Sequence, residues 1–201
     1  MDLKKIIFAT GNEGKLREIR MMLDDLGVCV QSMKEAGITV DIEENGKTFE
    51  ENAIMKAKAI MELTNQVVLA DDSGLEVDAL NKEPGVYSAR YMGYDTSYHV
   101  KNQNLIERLE GKRGIERSAR FVCVIAAAFP DGRVITTCGT MEGEIGYEER
   151  GANGFGYDPI FYLPDYQCYS AELSLEQKNQ LSHRGKALRL MKEELKKLRE
   201  A

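Results

Sequence analysis

The sequence predicts an α/β protein built on a mostly buried sheet, on three observations. Short apolar runs such as Val67-Val68-Leu69-Ala70 are too brief for helices and recur along the chain. Between them lie stretches with apolar residues at helical spacing, as in Leu16, Ile19, Leu23 and Leu26. The two patterns mix throughout instead of segregating, which favours helices packed on a sheet. Residues 1–201 are expected to form a single domain, since a chain with 43% hydrophobic and 30% charged residues suits one globular unit.

The elements follow in order. A first strand is expected over residues 4–10, then a tight loop, Gly11-Asn12-Glu13-Gly14-Lys15. A helix over 13–26 carries Leu16, Ile19, Met22, Leu23 and Leu26 on one face, and Gly27 closes it. A short strand over 28–30 and an acidic turn over 41–46 come next. Thr48 with Glu51 reads as a capping box, opening a helix that buries Ala53, Ile54, Ala57, Ile60 and Met61 and ends near Thr64-Asn65. The run 67–70 is a buried strand leading into Asp71-Asp72-Ser73-Gly74, after which Leu75, Val77 and Ala79 alternate with Glu76 and Asp78. Pro84-Gly85 marks a turn, and a helix spans 97–110. Two β-rich runs, 120–129 and 133–141, are joined by Pro130-Asp131-Gly132, a hairpin signal. A glycine-rich loop covers 151–156, a strand 160–163, and a last helix begins near Ser182 with Ala187, Leu188, Met191, Leu195 and Leu198 on one face.

Composition removes several classes of function. The N-terminus, Met1 to Phe8, reads directly into a strand with no signal-peptide hydrophobic region, and no apolar run reaches membrane-spanning length. Cys29, Cys123, Cys138 and Cys168 form no CxxC pair, so reduced cytoplasmic thiols are expected rather than zinc or disulfides. A net charge of −6 opposes a nucleic-acid surface but leaves room for a small anionic ligand in a local basic pocket.

Several stretches carry chemistry. On a strand, Asp71 and Asp72 face opposite ways unless the backbone turns. Close carboxylates can hold a hard cation such as Mg²⁺, and one can orient or deprotonate a water. The same stretch reads equally as an acidic turn. Thr10 to Lys15 lies between a strand and a helix, where backbone amides and the helix end can hold phosphate, or where an ordinary turn carries a solvated lysine. It is not a Walker A loop, because Leu16 stands where Ser or Thr would bind magnesium. Glu43 and Glu44 either complement the following helix or complete a metal site with the aspartates. Lys56 is either a phosphate partner or a snorkelling surface lysine, and spacing alone favours the surface. Phe155, between Gly154 and Gly156, either stacks on a flat base or sits in a tight turn. His183 and Arg184 are donors at the start of the last helix, behind Ser182 as its N-cap.

Taken together, six co-linear motifs resemble the Ham1-type inosine/xanthosine triphosphate pyrophosphatases: Ala9 to Lys15, Thr48 to Ala53, Ala70 to Leu75, Pro84 to Tyr91, Gly154 to Pro159 and Ser182 to Gly185. The resemblance implies an elongated central mixed sheet flanked by helices, with two lobes and a cleft between them. It implies a cytoplasmic homodimer with Mg²⁺-dependent hydrolysis of ITP, dITP and XTP to monophosphate and pyrophosphate. By that resemblance Thr10, Gly11, Asn12, Glu13, Gly14 and Lys15 hold the phosphates with Lys56. Asp72 is the proton acceptor, Glu43 and Asp72 are the metal pair, and Ser73 touches substrate. Phe155, Gly156, Tyr157, Asp158, Lys178, His183 and Arg184 form the base side. The chain departs from the family at 81–83, where glycines are frequent, and at 167–170. A pyrophosphatase for another modified nucleotide and a non-catalytic nucleotide sensor are the competing readings.

Overall fold

The acidic pair does not sit in a turn. In the computed structural model, which describes residues 4–200, one strand runs from Val68 to Val77 straight through Asp71 and Asp72. Met1, Asp2 and Leu3, the start of the N-terminal stretch read above, lie outside the described residues. The elements before the long strand are β1 (Lys5–Phe8), α1 (Glu13–Leu23), β2 (Cys29–Ser32) and α2 (Phe49–Thr64). The strand itself is β3 (Val68–Val77). It is followed by α3 (Tyr98–Arg108), β4 (Ser118–Ala128), β5 (Val134–Ile145), β6 (Phe161–Leu163), β7 (Cys168–Tyr169), α4 (Leu175–Leu181) and α5 (His183–Glu200).

The seven strands form one mixed sheet in the order β2-β1-β3-β4-β5-β6-β7. β1 pairs in parallel with β2 and β3, and α1 is the crossover that a parallel β1–β2 pair requires. β5, β6 and β7 pair antiparallel. Between β4 and β5 the Phe129 N–H donates to Arg133 O at 3.0 Å, and Gly132 takes φ 88°, as the hairpin signal predicts.

Helix ends follow their capping residues. Asn12 caps α1 by accepting the Lys15 N–H at 3.1 Å. α1 stops at Leu23; Leu26 lies in a 3₁₀ turn that Gly27 closes at φ 60°. Thr48 accepts the Glu51 N–H at 3.1 Å, but Glu51 returns its bond to the Lys47 amide, one residue before the expected box. α2 buries Phe49, Asn52, Ala53, Ala57 and Ile60, while Ile54 and Met61 are only half-buried. α4 and β7 are absent from the sequence reading. The missed signal for α4 is a reciprocal box in which Ser174 and Gln177 bond each other's amides at 3.2 and 2.9 Å.

The chain divides into two compact units, with the boundary inside β3, β4 and β5. The first takes β1 to Asp72, then Cys123–Gly139 and α5; the second takes Ser73–Val122 and Thr140–Ser182. The first unit packs Leu16, Ile19 and Leu23 of α1 and Leu188, Met191 and Leu195 of α5 around Phe8, Leu69 and Phe129. The second packs Leu75, Val77, Leu105, Met141 and Leu163 around Phe121 and Phe161, whose rings lie 4.5 Å apart. Full burial of each such side chain contributes about 1.5–3 kcal/mol. Asn81 and Lys82 take the left-handed backbone at φ 53° and 70°. No helix among the described residues is long and apolar enough to cross a membrane.

Candidate active site

Alternation along β3 gives the two aspartates opposite faces and opposite surroundings. Asp71 is 1% exposed and receives Lys15 Nζ at 2.9 Å and Arg184 Nε and Nη2, each at 3.3 Å. Arg184 is itself buried and donates Nη1 to Glu18 at 2.5 Å. Burial pushes the Asp71 carboxyl up, but the charges of Lys15, Arg184 and Lys56 outweigh it and hold it well below the usual carboxylate range. Asp71 is therefore held in its ionised form by cations of its own unit.

Asp72 meets α2 instead. Asn52 Nδ2 donates to Asp72 Oδ2 at 2.9 Å, and Lys56 Nζ lies 4.0 Å from Asp72 Oδ1. The same Nζ donates to Glu44 Oε1 at 2.9 Å. Burial raises the Asp72 carboxyl above its ordinary value, and although Lys56 and Asn52 pull it back, Glu44 adds to the rise. Lys56 is subject to the reverse balance: burial lowers it, but Asp71, Asp72 and Glu44 outweigh burial and keep it charged. Of the two aspartates, Asp72 has the raised proton affinity that suits a general base.

Glu43 is exposed, whereas its neighbour Glu44 is half-buried and carries the contact to Lys56. Spacing favoured a surface position for Lys56, yet its side chain is only 12% exposed. Asn52, Lys56, Phe49, Ala53 and Ile60 recur at helical spacing, so two polar side chains lie on the buried stripe of α2. A polar residue on such a stripe is the informative signal, and sequence reasoning passed over Asn52.

Thr10, Gly11 and Asn12 lead into α1, whose first turn carries Glu13, Gly14 and Lys15, so only part of the expected loop is loop. Thr10 Oγ1 accepts the Asn12 N–H at 3.1 Å, and Gly11, Asn12 and Glu13 are exposed, with Gly14 half-buried. Exposed amides at a helix start suit an anion. Lys15 has three ammonium donors, one of which serves Asp71. His183 is 5% exposed and opens α5 in the same unit, where Gly139 is required because a Cβ there would lie 2.3 Å from His183 O.

In the second unit, Asp158 gathers the remaining predicted residues, while Ser73 is half-buried where β3 enters it. Its Oδ2 accepts Lys178 Nζ at 2.6 Å and the Phe155 N–H at 2.8 Å, and its Oδ1 accepts Ser170 Oγ at 2.8 Å. Gly154 takes φ 76°, and a Cβ there would stand 2.3 Å from Asp158 Oδ2. Lys178 Nζ lies 4.7 Å from the Phe155 ring centroid, and that ring is 37% exposed. Tyr157 is buried and donates its hydroxyl to Ser88 O at 2.7 Å. Asn102 donates to Gly156 O at 3.3 Å and to Glu149 Oε1 at 2.7 Å, bracing the loop from α3.

The carboxylate pair fits one kind of metal. Among the described residues no three His, Cys, Asp or Glu side chains gather as a metal centre. Glu44 and Asp72, with a lysine ammonium already between them, match a hard cation that keeps waters and substrate oxygens as its other ligands, the habit of Mg²⁺.

Known proteins resemble this chain over nearly its whole length. A protein of Desulforamulus reducens named dITP/XTP pyrophosphatase is 49% identical over 194 residues, covering 96% of each chain. One of the same name from Bacillus licheniformis is 48% identical over 187 residues, covering 93% of this chain and 95% of its own. The Ham1 protein structure of Staphylococcus aureus superposes with a TM-score of 0.87 at 44% identity, covering 96% of this chain and 98% of its own. That of Coxiella burnetii gives 0.88 at 44% identity over the same shares. The Ham1 family profile matches residues 6–194, and the chain belongs to the Ham1 family.

Proposed function

We propose that this chain hydrolyses ITP, dITP and XTP to the monophosphate and pyrophosphate; its relatives are named as pyrophosphatases of dITP and XTP. The observation that carries the mechanism is the division of labour on β3. Asp71 is neutralised by half-buried Lys15 and buried Arg184, while Asp72 is left with a raised carboxyl beside Asn52 and Lys56. Asp72 accepts the proton of the attacking water, a contribution of about 10²–10⁴-fold. The α1 N-terminus and Lys15 hold the outer phosphates, and Lys56 adds a second positive charge. Glu44 and Asp72 are the residues that would hold Mg²⁺, which when bound would neutralise the pyrophosphate leaving group. Glu44 replaces Glu43 in this role because it, not Glu43, reaches Lys56.

Phe155 supplies a stacking face worth about 1–3 kcal/mol, and Lys178, whose Nζ lies 4.7 Å from that ring, is a donor suited to the carbonyl at purine position 6. An adenine amine at that position would leave donors facing donors, a mismatch able to reject an analogue by roughly 10⁴-fold. Arg184, expected on the base side, is instead assigned as the brace of Asp71 because its guanidinium is divided between Asp71 and Glu18. We further propose a cytoplasmic homodimer, to be checked by light scattering.

The test is kcat/KM for pyrophosphate release from ITP, XTP, GTP and ATP. ITP and XTP are expected well above GTP, with GTP at or above ATP. Equal values for ATP and ITP would refute the base assignment.

A further inference from the structure

The inference concerns Asn52 and rests on the reading of Asp72 given above. Asn52 is fully buried, and both ends of its amide are in use. Oδ1 accepts the Gly46 N–H at 2.8 Å, and Nδ2 donates to Asp72 Oδ2 at 2.9 Å. Only an amide offers an acceptor at one end and donors at the other in this space. A carboxylate would lose the bond to Asp72, and an aliphatic side chain would lose both.

The amide is held on each side. Its helix is fixed by buried Phe49, Ala53, Ala57 and Ile60, so Asn52 has little freedom to move. The loop approaches it as closely as glycine allows: a Cβ on Gly46 would lie 2.6 Å from Asn52 Oδ1 and 2.8 Å from Glu51 Cβ. Gly46 is two residues from Glu44, whose carboxylate binds Lys56. One side chain therefore joins the loop bearing Glu44 to the carboxylate of Asp72. We propose that Asn52 is a positioning residue that fixes Asp72 and the Glu44 loop relative to each other, holding Asp72 Oδ2 so that Oδ1 is presented for proton transfer.

The test is a double-mutant cycle on ITP hydrolysis at saturating Mg²⁺, with Asn52→Ala and Gly46→Ala each made alone and in Asp72→Asn. Each single variant is expected to lower kcat about 10–100-fold, with KM changed less than about threefold. In the Asp72→Asn background each loss should be much smaller than in the wild type, because both residues act in large part through that carboxylate. Losses that multiply in that background, or an unchanged kcat in Asn52→Ala, would overturn the proposal. Should Asn52→Ala fail to fold by circular dichroism, Gly46→Ala carries the same test from the loop side. Near-wild-type turnover in Asp72→Asn alone would instead remove the reading of Asp72, and this inference with it.

Discussion

Asp71→Asn and Asp72→Asn each exchange one carboxylate oxygen for an amide nitrogen on neighbouring residues, yet they should fail in different ways. Asp71 is the shared partner of two cations, at 2.9 and 3.3 Å, and is 1% exposed. Removing one partner from a buried ion pair costs about 3–5 kcal/mol, because a charge is left unmet in low dielectric. Arg184 keeps Glu18, so the lower end applies, about 3 kcal/mol. For a chain of this length each kcal/mol moves Tm by about 2–4 °C, giving a fall of about 6–12 °C. Asp72→Asn removes a carboxyl whose ionisation burial already opposes, so stability near pH 7 should hold within about 1 kcal/mol while kcat falls about 10²–10⁴-fold.

The pH dependence separates them further. A depressed carboxyl such as Asp71 contributes stability that is present above the unfolded value of about 3.9 and lost as pH falls toward its folded value. A raised one such as Asp72 works in reverse: its contribution is complete below about 3.9 and lost as pH rises through the folded value. Relative to wild type, Asp71→Asn should therefore lose less stability on acidification below about pH 4, and Asp72→Asn should gain as pH rises above about 4. Urea unfolding in EDTA across this range, with pyrophosphate release in parallel, is the assay. Equal destabilisation by both substitutions at pH 7 would refute the division of roles, as would an Asp71→Asn protein of wild-type stability.

Gly154→Ala should cost about 1–3 kcal/mol, since it strains a backbone at φ 76° and drives a Cβ onto Asp158 Oδ2. It should also raise KM for ITP more than it lowers kcat, and steady-state kinetics with thermal melting checks both effects. EDTA should abolish turnover and Mg²⁺ should restore it. Glu44→Gln should raise the Mg²⁺ concentration needed for half-maximal rate by at least about 10-fold, while Glu43→Gln leaves it near wild type. A magnesium titration of the three proteins decides between the glutamates.

The periodic parts of the fold were legible because their physics is local. Leu16, Ile19 and Leu23 announced α1, Thr48 capped where expected, and Pro130-Asp131-Gly132 made its hairpin. The strand through Asp71 and Asp72 was not, since a carboxylate pair reads as a turn until its partners are known. Those partners come from 56 residues earlier in sequence for Lys15 and 113 later for Arg184, beyond the reach of any local pattern. Arg184 at a helix start reads naturally as a ligand donor, and only the fold shows it committed to Asp71 and Glu18. Asn52 and Lys56 differ: their place on the apolar stripe of α2 was visible, and the stripe itself should have marked them. Glu43 and Glu44 could not be told apart without the position of Lys56.

The most direct test of the proposed chemistry is hydrolysis of ITP in ¹⁸O-labelled water, followed by mass spectrometry of both products. A base at Asp72 with the outer phosphates held at the α1 N-terminus directs water to the α-phosphorus. One labelled oxygen should then appear in the inosine monophosphate and none in an intact pyrophosphate. Label in the pyrophosphate, or inosine diphosphate released with free phosphate, would contradict it.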